Sequence, residues 1–89
     1  MRAEMARYYF HLRDGVDILI DDEGRQLESL ASVANAALIE ARSIISADAL
    51  AGHIRLDQRI DVGDEARTIV HTIEFADAVA IVPAACARP

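Results

Sequence analysis

Apolar and polar positions alternate from Tyr8 to Arg13. Tyr8, Phe10 and Leu12 fall on one side of the chain and Tyr9, His11 and Arg13 on the other, which is the period of a half-buried β-strand. Asp14-Gly15 follows at once, a dipeptide that turns the chain tightly because glycine accepts a positive φ. Val16, Ile18 and Ile20 then alternate with Asp17 and Asp21, so the first element predicted is a β-hairpin.

After Asp22-Glu23-Gly24 and Leu27 the period changes. At 100° per residue, Leu30, Val33, Ala34, Ala37, Leu38, Ala41, Ile44 and Ile45 gather within about 140°, with Ser32, Asn35, Arg42, Ser43 and Ser46 opposite. The spacing predicts an amphipathic helix capped by Ser29, running to about Leu50 and stopped by Gly52. Ile39 breaks the pattern by falling on the polar side.

A short extended segment at Ile54 and Leu56 leads to a third strand over 59–62, and the Gly63-to-Ala66 stretch reads as a turn. In the fourth strand Ile69, His71, Ile73 and Phe75 share one side, against Thr68, Val70, Thr72 and Glu74. Phe75 to Val82 ends the fold as further strand or as a short helical turn. The fold class expected is α+β in the order ββαββ, with the long helix packed on one face of a three- or four-stranded antiparallel sheet. The other face, with Tyr9, His11, Leu19, Val70 and Thr72, is expected to be too apolar for an ordinary wet surface, so that a partner or a second copy covers it.

The chain has 89 residues, room for one domain with a thin core. Residues 7–82 are expected to form that domain, with 1–6 disordered or a misassigned start and 83–89 a disordered tail. The apolar fraction is 53%, but there are only two Phe, two Tyr and no Trp, so Ile, Leu and Val must supply the core. Nine basic against fifteen acidic residues leave a net charge of −6, a field that repels phosphate backbones, and the arginines form no run. No nucleic-acid partner is therefore expected. No leader-like segment and no run of eighteen apolar residues occurs, which predicts a cytoplasmic protein with no membrane association.

Little in the residues suggests catalysis. His11, His53 and His71 show none of the paired spacings that place two ligands on one helix face. A metal held by His11, His71 and a nearby carboxylate is a minor alternative to a surface hydrogen bond and a partly buried slot. The acidic group Asp14, Asp17, Asp21, Asp22 and Glu23 does not match the calcium-loop offsets, and turn formation accounts for it better. Cys86, the lone cysteine, has no disulfide partner, and only Arg88 is near enough in sequence to activate it. No catalytic residue, cofactor or metal is expected.

The run Met5-Ala6-Arg7-Tyr8-Tyr9-Phe10-His11-Leu12-Arg13-Asp14-Gly15, then Asp22-Glu23-Gly24 with Leu27, Ala37-Leu38, Ala41-Arg42 and Asp48, then Arg59-Ile60-Asp61-Val62, Asp64-Glu65 and Phe75, closely resembles a family of small bacterial proteins known only as a domain of unknown function. The resemblance spans Met5 to about Ile81 and implies no activity, substrate or catalytic residue. Relatives begin at the equivalent of Met5, tend to be polar where Ile39 stands, and tend to be aliphatic where His71 stands.

Three functions compete. The preferred one is a non-enzymatic, self-associating interaction module, most simply a dimer, with Tyr9, His11, Arg13, Ile39 and His71 as its interface residues. The second is an acidic, antitoxin-like or regulatory partner of another, basic protein. The third is a small-ligand binder built at an oligomer interface, in which Tyr9, His11, Arg13 and His71 converge.

Overall fold

The computed structural model describes residues 5–85. Expectations about residues 1–4, and about Cys86 and the last residues of the tail, lie outside the described residues.

Strand β1 (Ala6–Asp14) turns into β2 (Asp17–Leu19), and a short third strand, β3 (Arg25–Leu27), precedes the helix α1 (Leu30–Leu50). Strands β4 (Gln58–Gly63) and β5 (Ile69–Glu74) follow, and Phe75–Ala78 closes the fold as one helical turn, α2. The architecture is α+β in the predicted ββαββ order, with one addition. β3 makes the sheet five-stranded, because after β2 the chain rejoins the same edge of β1 further along: β2 pairs with Leu12 to Asp14, and β3 with Ala6 to Tyr8. The sheet order is β2-β1-β4-β5, all antiparallel, so the two hairpins join through β1 and β4.

The first hairpin turns one residue later than its dipeptide suggests. Asp14 pairs with Asp17, leaving Gly15 and Val16 as the loop, and Gly15 takes φ +64°, as a glycine at the first loop position does in a tight hairpin. That register fixes the faces. Leu19 stands opposite Leu12 on the helix side and Ile18 opposite Arg13 on the open side, correcting the expectation for Leu19, because a one-residue offset sends every side chain to the other face. The expected extended segment at Ile54 and Leu56 pairs with no strand.

Ser29 caps α1 as predicted, its hydroxyl accepting from the Ser32 N–H, and Gly52 beyond the end takes φ +100°. Val33, Ala37, Ala41 and Ile45 form the buried stripe; the two alanines let the helix axis approach the sheet closely. By length and composition α1 could also cross a membrane, and a core helix buried along one stripe passes the same test. Opposite the stripe, Ile39 is 58% exposed.

The stripe packs on Phe10, Ile60 and Val62, and Phe75 and Ala78 of α2 seal the β5 end. Arg42 pins α2 by donating to the Ala78 carbonyl at 2.7 Å. The helix covers β4 and β5 more than β1 and β2. On that thinner side Arg25 lies over the Phe10 ring at 4.3 Å and pairs with Glu40 on the helix at 3.3 Å. Among the described residues the buried apolar core is nine side chains, three of them alanine, which is thin even for this length.

Candidate functional site

The open face of the sheet is built by cross-strand neighbours, which share a face in an antiparallel ladder. Tyr9 stands opposite Gly63, His11 opposite Asp61, and Arg13 opposite Arg59, while Asp61 and Arg59 meet Thr72 and Glu74 on β5. This face is polar, which corrects the expectation of an apolar surface. Its centre is Asp61, only 7% exposed, which accepts from Arg13 Nε at 3.0 Å, Arg59 Nε at 3.2 Å and the Thr72 hydroxyl at 2.9 Å. Burial alone would raise the Asp61 pKa. The hydrogen bonds from Thr72, Arg59 and Arg13 and the Arg59 charge outweigh it and hold the carboxyl below its ordinary value.

A second carboxylate organises the edge of β1. Between β2 and β3 the ladder is interrupted, and the Asp21 side chain stands in for the missing strand: Oδ2 accepts from the Phe10 N–H at 3.0 Å, and Oδ1 from the Glu23 and Gly24 N–H groups at 3.1 and 3.0 Å. The Asp21 N–H in turn donates to His11 Nδ1 at 3.1 Å. Burial opposes ionisation here too, and the three backbone donors with nearby His11 override it, so Asp21 also titrates below its ordinary value. Of the sequence-level acidic group, Asp14 takes a bidentate pair from Arg55 at 2.6 and 3.0 Å, tying the hairpin to the loop after α1 and raising the Arg55 pKa.

Both depressed carboxylates bear on acid stability. A group whose folded pKa lies below its unfolded value stabilises the fold above the unfolded value, near 3.8, and loses that contribution as pH falls through the folded one. Stability is therefore expected to decline below about pH 4. Asp61→Asn is expected to cost about 1–2 kcal/mol at neutral pH, the half-exposed arginines keeping it low, and to flatten the acid limb. Urea denaturation at stepped pH reads both effects.

The open face also holds a groove of about 590 Å³ lined by Tyr9, His11, Ile20, Asp21, Asp22, Gly63, Asp64, Glu65, Arg67 and Ile69. Tyr9 and His11 form its floor, their rings parallel within 7° and 6.5 Å apart. The Asp64 carboxylate accepts from the Ala66 and Thr68 N–H groups, both at 2.9 Å, and shapes the far wall. Arg67 on that wall takes φ +67°, the sole positive φ outside glycine among the described residues, a conformation costing about 1–2 kcal/mol for a side chain with a Cβ.

Of the interface residues read from sequence, Tyr9, His11 and Arg13 do lie together on this face. His71 does not: it pairs with Val62 on the helix side, so it converges with neither His11 nor the groove, and the His11–His71 metal arrangement does not form. Ile39 is on the outer pole of α1, remote from both. Sequence reasoning missed Asp61 and Gly63 as site residues, and read Asp21 only as one of a turn-forming acidic group, a role its bonds to the Glu23 and Gly24 N–H groups bear out. Only Asp21 left a local signal, since an Asp three residues before a Gly is a common side-chain-bridged turn.

One helix against a five-stranded antiparallel sheet, with a polar groove on the uncovered face, defines a small α+β domain. The chain belongs to the domain-of-unknown-function family DUF6894, whose model matches residues 7–76, in keeping with the resemblance carried by its Arg7-to-Gly15 and Arg59-to-Val62 runs. No curated protein and no solved structure matches it.

Proposed function

We propose that the domain is a non-enzymatic protein-interaction module that self-associates through the β2 edge. The observation that carries this reading is the apolar surface around that edge. Ile18, Leu19 and Ile20 are 42%, 69% and 52% exposed, and Val16 at the hairpin tip is 97% exposed. Leu19 and Ile20 continue into a cleft of about 380 Å³ between β2 and α1, walled by Phe10, Leu12, Ile44 and Ile60 and by the charged Asp21, Arg25 and Glu40. An edge strand beside apolar surface is a template for pairing with another chain, and the thin core gives a second copy something to stabilise.

Two copies related by a two-fold axis would pair β2 with β2 and place each Leu19 toward the other's cleft, an isologous contact that closes at the dimer. Sedimentation velocity over a concentration series tests this. The wild type is expected to dimerise, Leu19→Glu to remain monomeric with an unchanged circular dichroism spectrum, and Ile39→Glu, on the far pole of α1, to dimerise like wild type. A wild-type chain that stays monomeric throughout overturns the reading, and loss of the dimer in Ile39→Glu alone moves the interface to the helix.

A further inference from the structure

We propose that the groove on the open sheet face holds an arginine-bearing segment of a partner protein, laid across Gly63 between the Ile20-to-Gly24 loop and the Asp64-to-Thr68 turn. Gly63, which has no side chain, lies in the groove's lining. The three atoms nearest to a Cβ built there, Thr68 O, His11 Nε2 and the Ile69 side chain, stand at 3.7–3.8 Å, ordinary contact distances. Its volume of about 590 Å³ is within the usual range for bound ligands of about 300–1,000 Å³.

Charge selects the occupant. Asp21 and Asp22 stand on one wall and Asp64 and Glu65 on the other, against Arg67 alone, a net of −3 in a chain whose total is −6. Two of these carboxylates are already held by backbone N–H groups, Asp21 by three and Asp64 by two, so a cation meets a preorganised site and orders little on binding. The floor adds the face of Tyr9, on which a guanidinium stacks.

His11 argues for a peptide over a free cation. Its Nδ1 accepts from the Asp21 N–H, so the neutral ring carries its proton on Nε2, which lies 3.8 Å from where a Cβ at Gly63 would stand. A hydrogen-bond donor between acidic walls matches a peptide carbonyl beside an arginine side chain. Ile20 and Asp21 border both this groove and the β2 cleft, while the floor at Tyr9, His11 and Gly63 belongs to the groove alone, so Leu19→Glu, a residue of the cleft alone, separates the two.

The test is fluorescence anisotropy of the full chain with a labelled peptide of arginine alternating with serine, the glutamate-for-arginine peptide serving as reference. Binding is expected for the arginine peptide alone and is expected to weaken between about 20 and 150 mM salt, as screening shortens the reach of the walls. Asp22→Lys/Glu65→Lys, both exposed residues, and Gly63→Leu, which fills the floor, are each expected to weaken it about tenfold or more. Glu28→Lys/Asp77→Lys makes the same change in net charge away from the groove and is expected to bind within about twofold of the wild type once the long-range field is screened. Equal loss in the two double variants overturns the proposal by assigning binding to the overall field. Equal binding of both peptides, no binding at low salt, or unchanged binding by Gly63→Leu also overturns it. Leu19→Glu should bind the arginine peptide like wild type, which separates failure here from failure of the dimer.

Discussion

Phe75→Ala is expected to cost about 3–5 kcal/mol, a large share of the about 5–13 kcal/mol by which a chain of such length is stable in total. The ring is fully buried and sits where β5 hands over to α2, packed with Ala78 beneath the helix stripe. With only three alanines and six larger side chains in the core, its neighbours have little bulk with which to collapse into the space left. Circular dichroism and urea denaturation should show the loss at once. Phe75→Leu, which keeps most of the volume, is expected to recover more than half of the difference. A stable Phe75→Ala variant would mean that α2 does not seal the core.

Gly24→Ala is the second large effect, expected to cost about 2–5 kcal/mol. Two separate costs meet at this residue. Gly24 takes φ +67°, which charges any Cβ about 1–2 kcal/mol. A Cβ there would also stand 2.8 Å from the Tyr8 carbonyl oxygen and 2.9 Å from the Tyr9 ring, an overpacking that adds about 1–3 kcal/mol because the obstacle on one side is strand backbone. Gly15→Ala is the matched control: the same sign of φ at +64°, with nothing within 4 Å, so only the conformational cost remains. Thermal melts of the two variants side by side are expected to separate by several degrees, at about 4–8 °C per kcal/mol for a domain of this length. Equal melting would mean that the close approach of Gly24 to β1 is relieved by movement of the loop.

The same glycine shows how far local sequence reaches. Asp22-Glu23-Gly24 reads as a turn, and it is one, yet nothing local says that the turn carries the chain back to the edge it has just left. β3 was therefore invisible: three residues, Arg25 to Leu27, with no alternation long enough to count, paired only because β1 extends beyond β2 and offers unpaired backbone. The first hairpin was legible as a hairpin, but its faces were not. Whether Ile18 or Leu19 joins the core depends on which two residues form the loop, and a shift of one position reverses the answer.

The candidate site divides in the same way. Tyr9, His11 and Arg13 could be placed on one face from alternation alone, because a strand's period of two is a property of the backbone. His71 was grouped with them on polarity, and the register of β5 against β4 sends it to the helix side. Asp61 sat unremarked in the Arg59-to-Val62 run, since its meaning comes from Arg13, which is 48 positions away in the chain.

Near neighbours along the chain set the helix from Leu30 to Leu50 with its Ser29 cap, its Val33-Ala37-Ala41-Ile45 stripe, the two hairpins and the ββαββ order. Apolar period, capping and turn chemistry act within a few residues, and the chain carries them whatever it packs against. The tertiary structure alone decided that β1 and β4 meet at the centre, that Asp21 fills the gap between β2 and β3, and that Asp61 gathers Arg13, Arg59 and Thr72. It also decided that Gly63 lines a groove beside Tyr9 and His11. Each of these needs residues far apart in sequence to be brought within hydrogen-bond or contact distance, and that is set by how the sheet is ordered and in what register, which the burial of the whole core selects.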